Sequence, residues 1–261
     1  MDKIQVKIIN PEAIETAEKM MVCAARLTQA GHTINSMQDF EDLYNKDVKE
    51  STMRAMAKLP HPTIQKFSVI NVVVVGASRR FLAQITRHQN EVKFMSASLQ
   101  YSDYRGKADV VIPYNLLGDG KDLAMARGSY ITKSTAAIDE YEELIGQGLN
   151  HDEAAYIMPQ GLRNVLIISA TPYQWKHMIK QRICRRNTIE TRYVMLKIWQ
   201  ALYYYSDILF GEDCLPDCAT DCCKEGKFCC GCKYNDTDTP TSVLKKDFNK
   251  IKEINNDTRK V

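Results

Sequence analysis

Two runs of branched apolar residues, "INVVVVGAS" around Val72–Val75 and "NVLIISA" around Val165–Ile168, limit this chain's fold more than any other feature. Consecutive β-branched side chains disfavour a helix, and the unbroken run from Val72 to Val75 predicts a strand buried on both faces. Both runs lie between segments with helical spacing. "PEAIETAEKMMVCAARL" places Pro11 at a first helical position and Ile14, Ala17, Met20 or Met21, and Ala24 at helical intervals. "SMQDFEDLYNKDVKESTMRAMAKL" reads as one further helix that ends before Pro60, and "LPHPT" as a turn. Gly76 and Ser78 end the valine run and cap a helix over "SRRFLAQITRH".

Downstream, the pattern predicts a long helix over about 121–146 and a short capped piece closed by Pro159. A helix then begins at Thr171-Pro172, and another spans "TIETRYVMLKIWQALYYYSDIL". Helices with a few strands between them indicate an α/β or α+β fold, a mixed sheet flanked by long helices. We expect a catalytic domain over 1–210, a cysteine-rich segment over 211–235 and a polar tail over 236–261, mobile at its end.

With 261 residues, 44% of them hydrophobic, the chain can bury a proper core. A formal net charge of +3, spread along the chain, gives no electrostatic case for nucleic-acid binding. No run approaches the ~18 apolar residues of a membrane span, and the start "MDKIQVKIIN" lacks an apolar leader core. The expectation is a soluble, cytoplasmic protein. Nine cysteines, an odd number, argue against a disulfide framework and for thiols or thiolate ligands.

Three polar clusters stand where core residues would be ordinary. Gln84, Arg87 and His88 share one face of the helix after the valine run. Capping by Arg87 with a solvated His88 is the plain alternative. In "WKHMIKQRIC", Arg182 falls within or beside the stripe of Trp175, Met178, Ile179 and Ile183. A guanidinium there requires a partner, either a carboxylate of the same chain, with Glu190 the candidate, or an anionic or polar ligand. In "MSASLQY", alternation sets Ser96, Ser98 and Gln100 on one side of a strand and Ala97, Leu99 and Tyr101 on the other. That polar side either faces water or offers hydroxyls and N–H groups to a phosphate or base edge.

In this order and at these separations, the clusters resemble the signature of the flavin-dependent thymidylate synthases. Arg87-His88-Gln89 resembles the family's Arg-His-Arg triplet, and Ser98 and Tyr101 its following Ser and Tyr. Ser78-Arg79, Gln84 and the turn His61-Pro62-Thr63 match elements upstream of the triplet. "HMIKQRICRRNTIETR" resembles the helix that carries an essential arginine, and "CKEGKFCCG" a cysteine segment found in part of the family. The likeness covers about residues 55–232. Gln89, Gln100, Lys66, Phe67, Tyr173 and Ala155 depart from it, with Arg80, Arg105 or Arg163 as candidates to replace the lost cations.

The resemblance implies reductive methylation of dUMP to dTMP with methylenetetrahydrofolate, FAD and NADPH, in a homotetramer whose sites combine several subunits. It assigns Arg182 to the uracil edge as the catalytic residue. Gln84, Arg87, Ser96, Ala97, Ser98, Leu99 and Gln100 are assigned to dUMP. His61, Thr63, Arg87, His88, Gln89, Thr171, Tyr173 and His177 are assigned to the flavin. Two alternatives stay open: a related flavin enzyme that methylates or hydroxymethylates another pyrimidine nucleotide, and a non-catalytic nucleotide- or metal-binding homologue. Separately, Cys214, Cys218, Cys223 and Cys230 could supply four thiolates to a structural zinc, against a reduced thiol-rich segment or, less simply, an iron–sulfur cluster.

Overall fold

The computed structural model describes residue 1 and residues 3–251, so the mobile end expected for the tail lies outside the described residues. In chain order the main elements are β1 (Gln5–Ile8), α1 (Glu12–Ala30), α2 (Met37–Asn45), α3 (Glu50–Ala57), β2 (Ile70–Ser78), α4 (Arg79–Ile85) and β3 (Val92–Ser96). They are followed by α5 (Lys121–Gly146), α6 (His151–Ala154), β4 (Arg163–Ala170), α7 (Pro172–Arg182), α8 (Ile189–Tyr205) and α9 (Pro240–Asp247). The strands form one four-stranded sheet in the order β1-β2-β4-β3, with every pairing antiparallel.

The valine run does not bury both of its faces. Ile70, Val72 and Val74 of β2, with Leu166 and Ile168 of β4, turn into the core. Val75, Val165, Ile167 and Met95 share the opposite face and remain 40–71% exposed. Alternation along a pleated strand sends every second side chain outward, and among the described residues no helix layer covers that face. Helix α8 fills the inner side: Tyr193 to Leu196, Ile198, Trp199 and Leu202 are all fully buried.

The single helix expected before Pro60 is two helices, α2 and α3. Lys46 and Lys49 between them are extended, and Arg26 donates to the carbonyls of Leu43, Lys46 and Asp47. A guanidinium that takes these carbonyls removes the acceptors a continuous helix would use. Gly76 sits at a bulge in β2 with φ of 81°, and a Cβ there would come within 2.7 Å of the Lys3 carbonyl. Only glycine fits that approach. The segment expected as a polar tail is in part core: Val243, Leu244, Phe248 and Ile251 are buried, so α9 docks by an apolar stripe that short polar spacers obscure.

Candidate active site

Helices α4 and α7 bring the first two polar clusters together. Ser78 caps α4 by accepting from the Phe81 N–H at 3.1 Å, and Thr171 caps α7 through Gln174 at 3.3 Å, as Ser and Thr do at helix starts. The helices leave opposite ends of the antiparallel neighbours β2 and β4, and their C-terminal ends meet. There Arg182 donates from Nε to His88 Nε2 at 2.8 Å, from Nη2 to the Gln84 carbonyl at 3.0 Å and from Nη1 to Asn187 Oδ1 at 3.4 Å. All three acceptors are neutral.

Glu190 is not the partner of Arg182. Its carboxylate instead accepts the Ser78 N–H at 2.7 Å and the Ser78 hydroxyl at 2.5 Å, at the other end of α4. Among the described residues Arg182 thus has no carboxylate partner; it is half-buried, and burial followed by repulsion from Arg87 lowers its pKa. His88 is buried, and burial, then Arg182, then His177 push its pKa from 6.5 down to about 4. It is therefore neutral, with its proton on Nδ1 because Nε2 accepts.

The His177 ring stands edge-on to His88 at 6.1 Å. His177 and Tyr173 line a cavity of about 600 Å³ that also touches Pro60 and Pro62 on either side of His61. Thr171 joins the same region by donating to Glu91 Oε2 at 3.3 Å. Glu91 also accepts from Lys66 Nζ at 2.7 Å, and that ammonium sits 5.1 Å from the centre of the Tyr173 ring. This pair was not legible in the sequence. Its only local sign is Glu91 itself, a non-glycine residue at φ of 55° where the chain turns into β3. Thr63, Arg87 and Gln89 are exposed and do not line this cavity. Rings and hydrogen-bonding groups around a cavity of this size suit a flat heteroaromatic cofactor, and the residues fit a flavin.

Ser96 lines a cavity along α4 with Arg79, Leu82, Thr86 and Gln160, and among the described residues no hydrogen bond joins the third cluster to Gln84, Arg87, His88 or Arg182. Strand β3 ends at Ser96, so Ser96, Ser98 and Gln100 do not alternate on one strand face. Ser98 Oγ instead accepts the N–H groups of Gln100 at 3.1 Å and Tyr101 at 3.4 Å in a tight turn. Val92 pairs with Ala170 beside the Thr171 end, whereas Ser96 pairs with Leu166, four residues or ~13 Å further along. Ala97 lies at the start of α4, where its carbonyl accepts from Arg79 at 3.3 Å. Leu99 packs with Tyr141, Ala154 and Ala155 in a small separate cluster. The polar handover is therefore spread along α4: Arg182 and His88 meet beyond its C-terminal end, while Ala97 binds Arg79 at its start.

Of the candidate replacement cations, Arg105 is held by Asp103, and Arg163 by Asp109 and the Gly76 carbonyl. Arg80 lines a different cavity with Ser78, Tyr130, Gln160 and Glu190. The four cysteines proposed for zinc are not gathered in one place: Cys214 is fully buried in the hydrophobic core, where burial pushes its thiol up to about 12, whereas Cys230 is exposed. Among the described residues no group of three or more His, Cys, Asp or Glu side chains is placed to hold a metal ion.

The family model described as "Thymidylate synthase complementing protein" matches residues 11–204. The chain belongs to that family. Curated relatives named flavin-dependent thymidylate synthase include one from Geobacter sulfurreducens, 24% identical over 214 residues, covering 82% of this chain and 89% of the relative. Another, from Pyrococcus furiosus, is 23% identical over 176 residues and covers 66% and 70%. Among solved structures, the UMP/dUMP methylase PolB from Streptomyces cacaoi bound with 5-Br dUMP superposes with a TM-score of 0.65 at 17% identity, covering 80% of this chain and 93% of that one. Thymidylate synthase X from Helicobacter pylori with FAD and dUMP gives 0.58 at 18% identity, covering 81% and 99%. These likenesses establish the fold as that of the flavin-dependent thymidylate synthases. Among the described residues no helix is long and apolar enough to cross a membrane.

Proposed function

We propose that this chain methylates dUMP to dTMP, with FAD as its cofactor and methylenetetrahydrofolate and NADPH as cosubstrates. The observation that carries the reading is Arg182: a guanidinium fixed by three neutral acceptors, with no carboxylate among the described residues to cancel its charge, and joined through His88 to His177, which lines a cavity with Tyr173. Such a cation stabilises negative charge on a uracil ring at its N3–O2 edge, and does so most strongly where water is excluded. Reduced flavin would supply the hydride. His88 holds the plane of the guanidinium by accepting at Nε2, and stays neutral so that it does not compete for the anion. Arg87, exposed beside it, is free to meet a phosphate through its forked N–H groups.

The site is a shared one in this reading. Ser96–Gln100 at the far end of α4 would serve an arginine cluster of another subunit, and the open sheet face of Val75, Met95, Val165 and Ile167 would be covered in a homotetramer. A flavin spectrum from the purified protein, and dTMP formation that needs dUMP, methylenetetrahydrofolate and NADPH and disappears in Arg182→Ala, test the proposal. Colourless protein that takes up no added FAD would overturn it.

A second reading is favoured by Gln89 and Gln100, which stand where the family commonly has arginine. Two fewer cations relax the grip on a nucleotide, and the fold is shared with a UMP/dUMP methylase. Product masses from dUMP, UMP and dCMP separate the readings: a methylated or hydroxymethylated product from UMP or dCMP supports the second.

A further inference from the structure

Lys66, Glu91 and Thr171 tie three separate segments together: the approach to β2, the turn between α4 and β3, and the start of α7. Lys66 Nζ donates to Glu91 Oε1 at 2.7 Å, and Glu91 Oε2 accepts from the Thr171 hydroxyl at 3.3 Å. That hydroxyl in turn accepts the Gln174 N–H at 3.3 Å. The ion pair is partly exposed, its side chains 32% and 38% accessible, and pairs so placed contribute little to stability. Glu91 also holds φ of 55°, a region that favours glycine. A carboxylate kept on an unfavourable backbone, in a pair that stabilises little, points to a task other than folding.

That task is set by the Tyr173 ring. The Lys66 ammonium stands over it, 5.1 Å from its centre. Tyr173 lines the cavity of about 600 Å³ together with His177, and Lys66 does not, so the cation backs the ring from the side away from the cavity. Glu91 anchors the cation, and the cation holds the ring. Along α7, Tyr173 precedes Arg182 by nine residues, or ~13 Å of helix. His177 lies between them and meets His88, the partner of Arg182.

We infer, on the flavin reading proposed above, that Tyr173 is the platform on which the adenine ring of FAD stacks, and that this contact makes the chain select FAD over FMN. With Arg182 at the uracil, the reacting ring of the flavin belongs at the Arg182 end of α7, and an extended dinucleotide carries its adenine toward Tyr173. FMN ends at its phosphate and has no ring to place there. An aromatic face stacks a purine without reading its edges, so the contact needs no further polar partner. Lys66 and Glu91 act through the tyrosine and are positioning residues.

The test is calorimetric titration of the flavin-free, full-length protein with FAD and with FMN. The unsubstituted chain should bind FAD more tightly than FMN. Tyr173→Leu should weaken FAD roughly 10-fold, the scale of one stacked base, and Lys66→Met roughly 2–5-fold, the scale of one cation–π contact, with FMN unchanged in both. Lys66→Arg should keep the preference. Glu91→Gly suits a backbone at φ of 55°, so it should hold or raise the urea midpoint while it loses FAD affinity as Lys66→Met does. A pair with a merely structural role would lower the midpoint and weaken both flavins together. That outcome, or an FAD-to-FMN ratio unchanged in Tyr173→Leu and Lys66→Met, would overturn the inference and leave the flavin reading standing. An unsubstituted chain that binds neither flavin would overturn both.

Discussion

Arg182 of α7 donates its Nε proton to His88 Nε2, beyond the end of α4, at 2.8 Å, and each residue fixes the state of the other. The guanidinium cannot rotate without losing this bond and that to the Gln84 carbonyl. The imidazole cannot take a second proton without meeting a cation at bonding distance. Arg182→Ala should therefore lower turnover by roughly 10²–10³-fold, the scale for removing one group that stabilises developing charge. Arg182→Lys should recover little, since an ammonium cannot span three acceptors in one plane. Rates of dTMP formation at saturating dUMP, with far-UV circular dichroism to verify folding, check both.

The same contact predicts a stability that depends on acid. His88 takes a proton at about 6.5 in the unfolded chain but only at about 4 when folded. Protons therefore favour the unfolded state as pH falls, so this contribution is complete above about 6.5 and declines toward 4. The urea midpoint should fall between neutral pH and about pH 5, and fall less in His88→Gln, which keeps an acceptor but does not titrate in this range.

Glu190 organises the other end of α4. Replacing it with Ala strands the Ser78 N–H and hydroxyl in a partly buried place, and unmade hydrogen bonds of this kind cost about 1–3 kcal/mol. Chemical denaturation of Glu190→Ala and Glu190→Gln should show the larger loss for Ala, because the amide oxygen still accepts one bond.

Asp247 of α9 holds two arginines, Arg185 at 3.3 Å and Arg192 in a short contact, and all three side chains are nearly buried. Removing the carboxylate leaves adjacent cations unpaired, so Asp247→Ala should destabilise the fold by about 3–5 kcal/mol. The measurement is the urea midpoint, with limited proteolysis reporting whether α9 is released first.

A charge on the open sheet face should act on assembly rather than on folding. Ile167 is 40% exposed and sits opposite Met95 and Val73. Ile167→Glu should leave the secondary structure intact by circular dichroism and reduce the mass found by light scattering from that of a tetramer, with activity falling in parallel. A mass unchanged by the substitution would remove this face from any subunit contact.

Local chemistry was written in the sequence. Ser78, and Thr171 with Pro172, mark the starts of α4 and α7, since a cap acts only on the next turn. The long helix Lys121–Gly146 also follows from local pattern, and the ordered clusters of Arg87, Ser98 and Arg182 carried the family resemblance. What the sequence could not express is which ends of those elements meet. Antiparallel register carries Ser96 away from the Arg87 end of α4, pairs Glu190 with Ser78 rather than Arg182, and lets Lys66 reach Glu91. Helical and strand periodicity act over a few residues, whereas these contacts join residues far apart along the chain, and only packing of the whole core selects them.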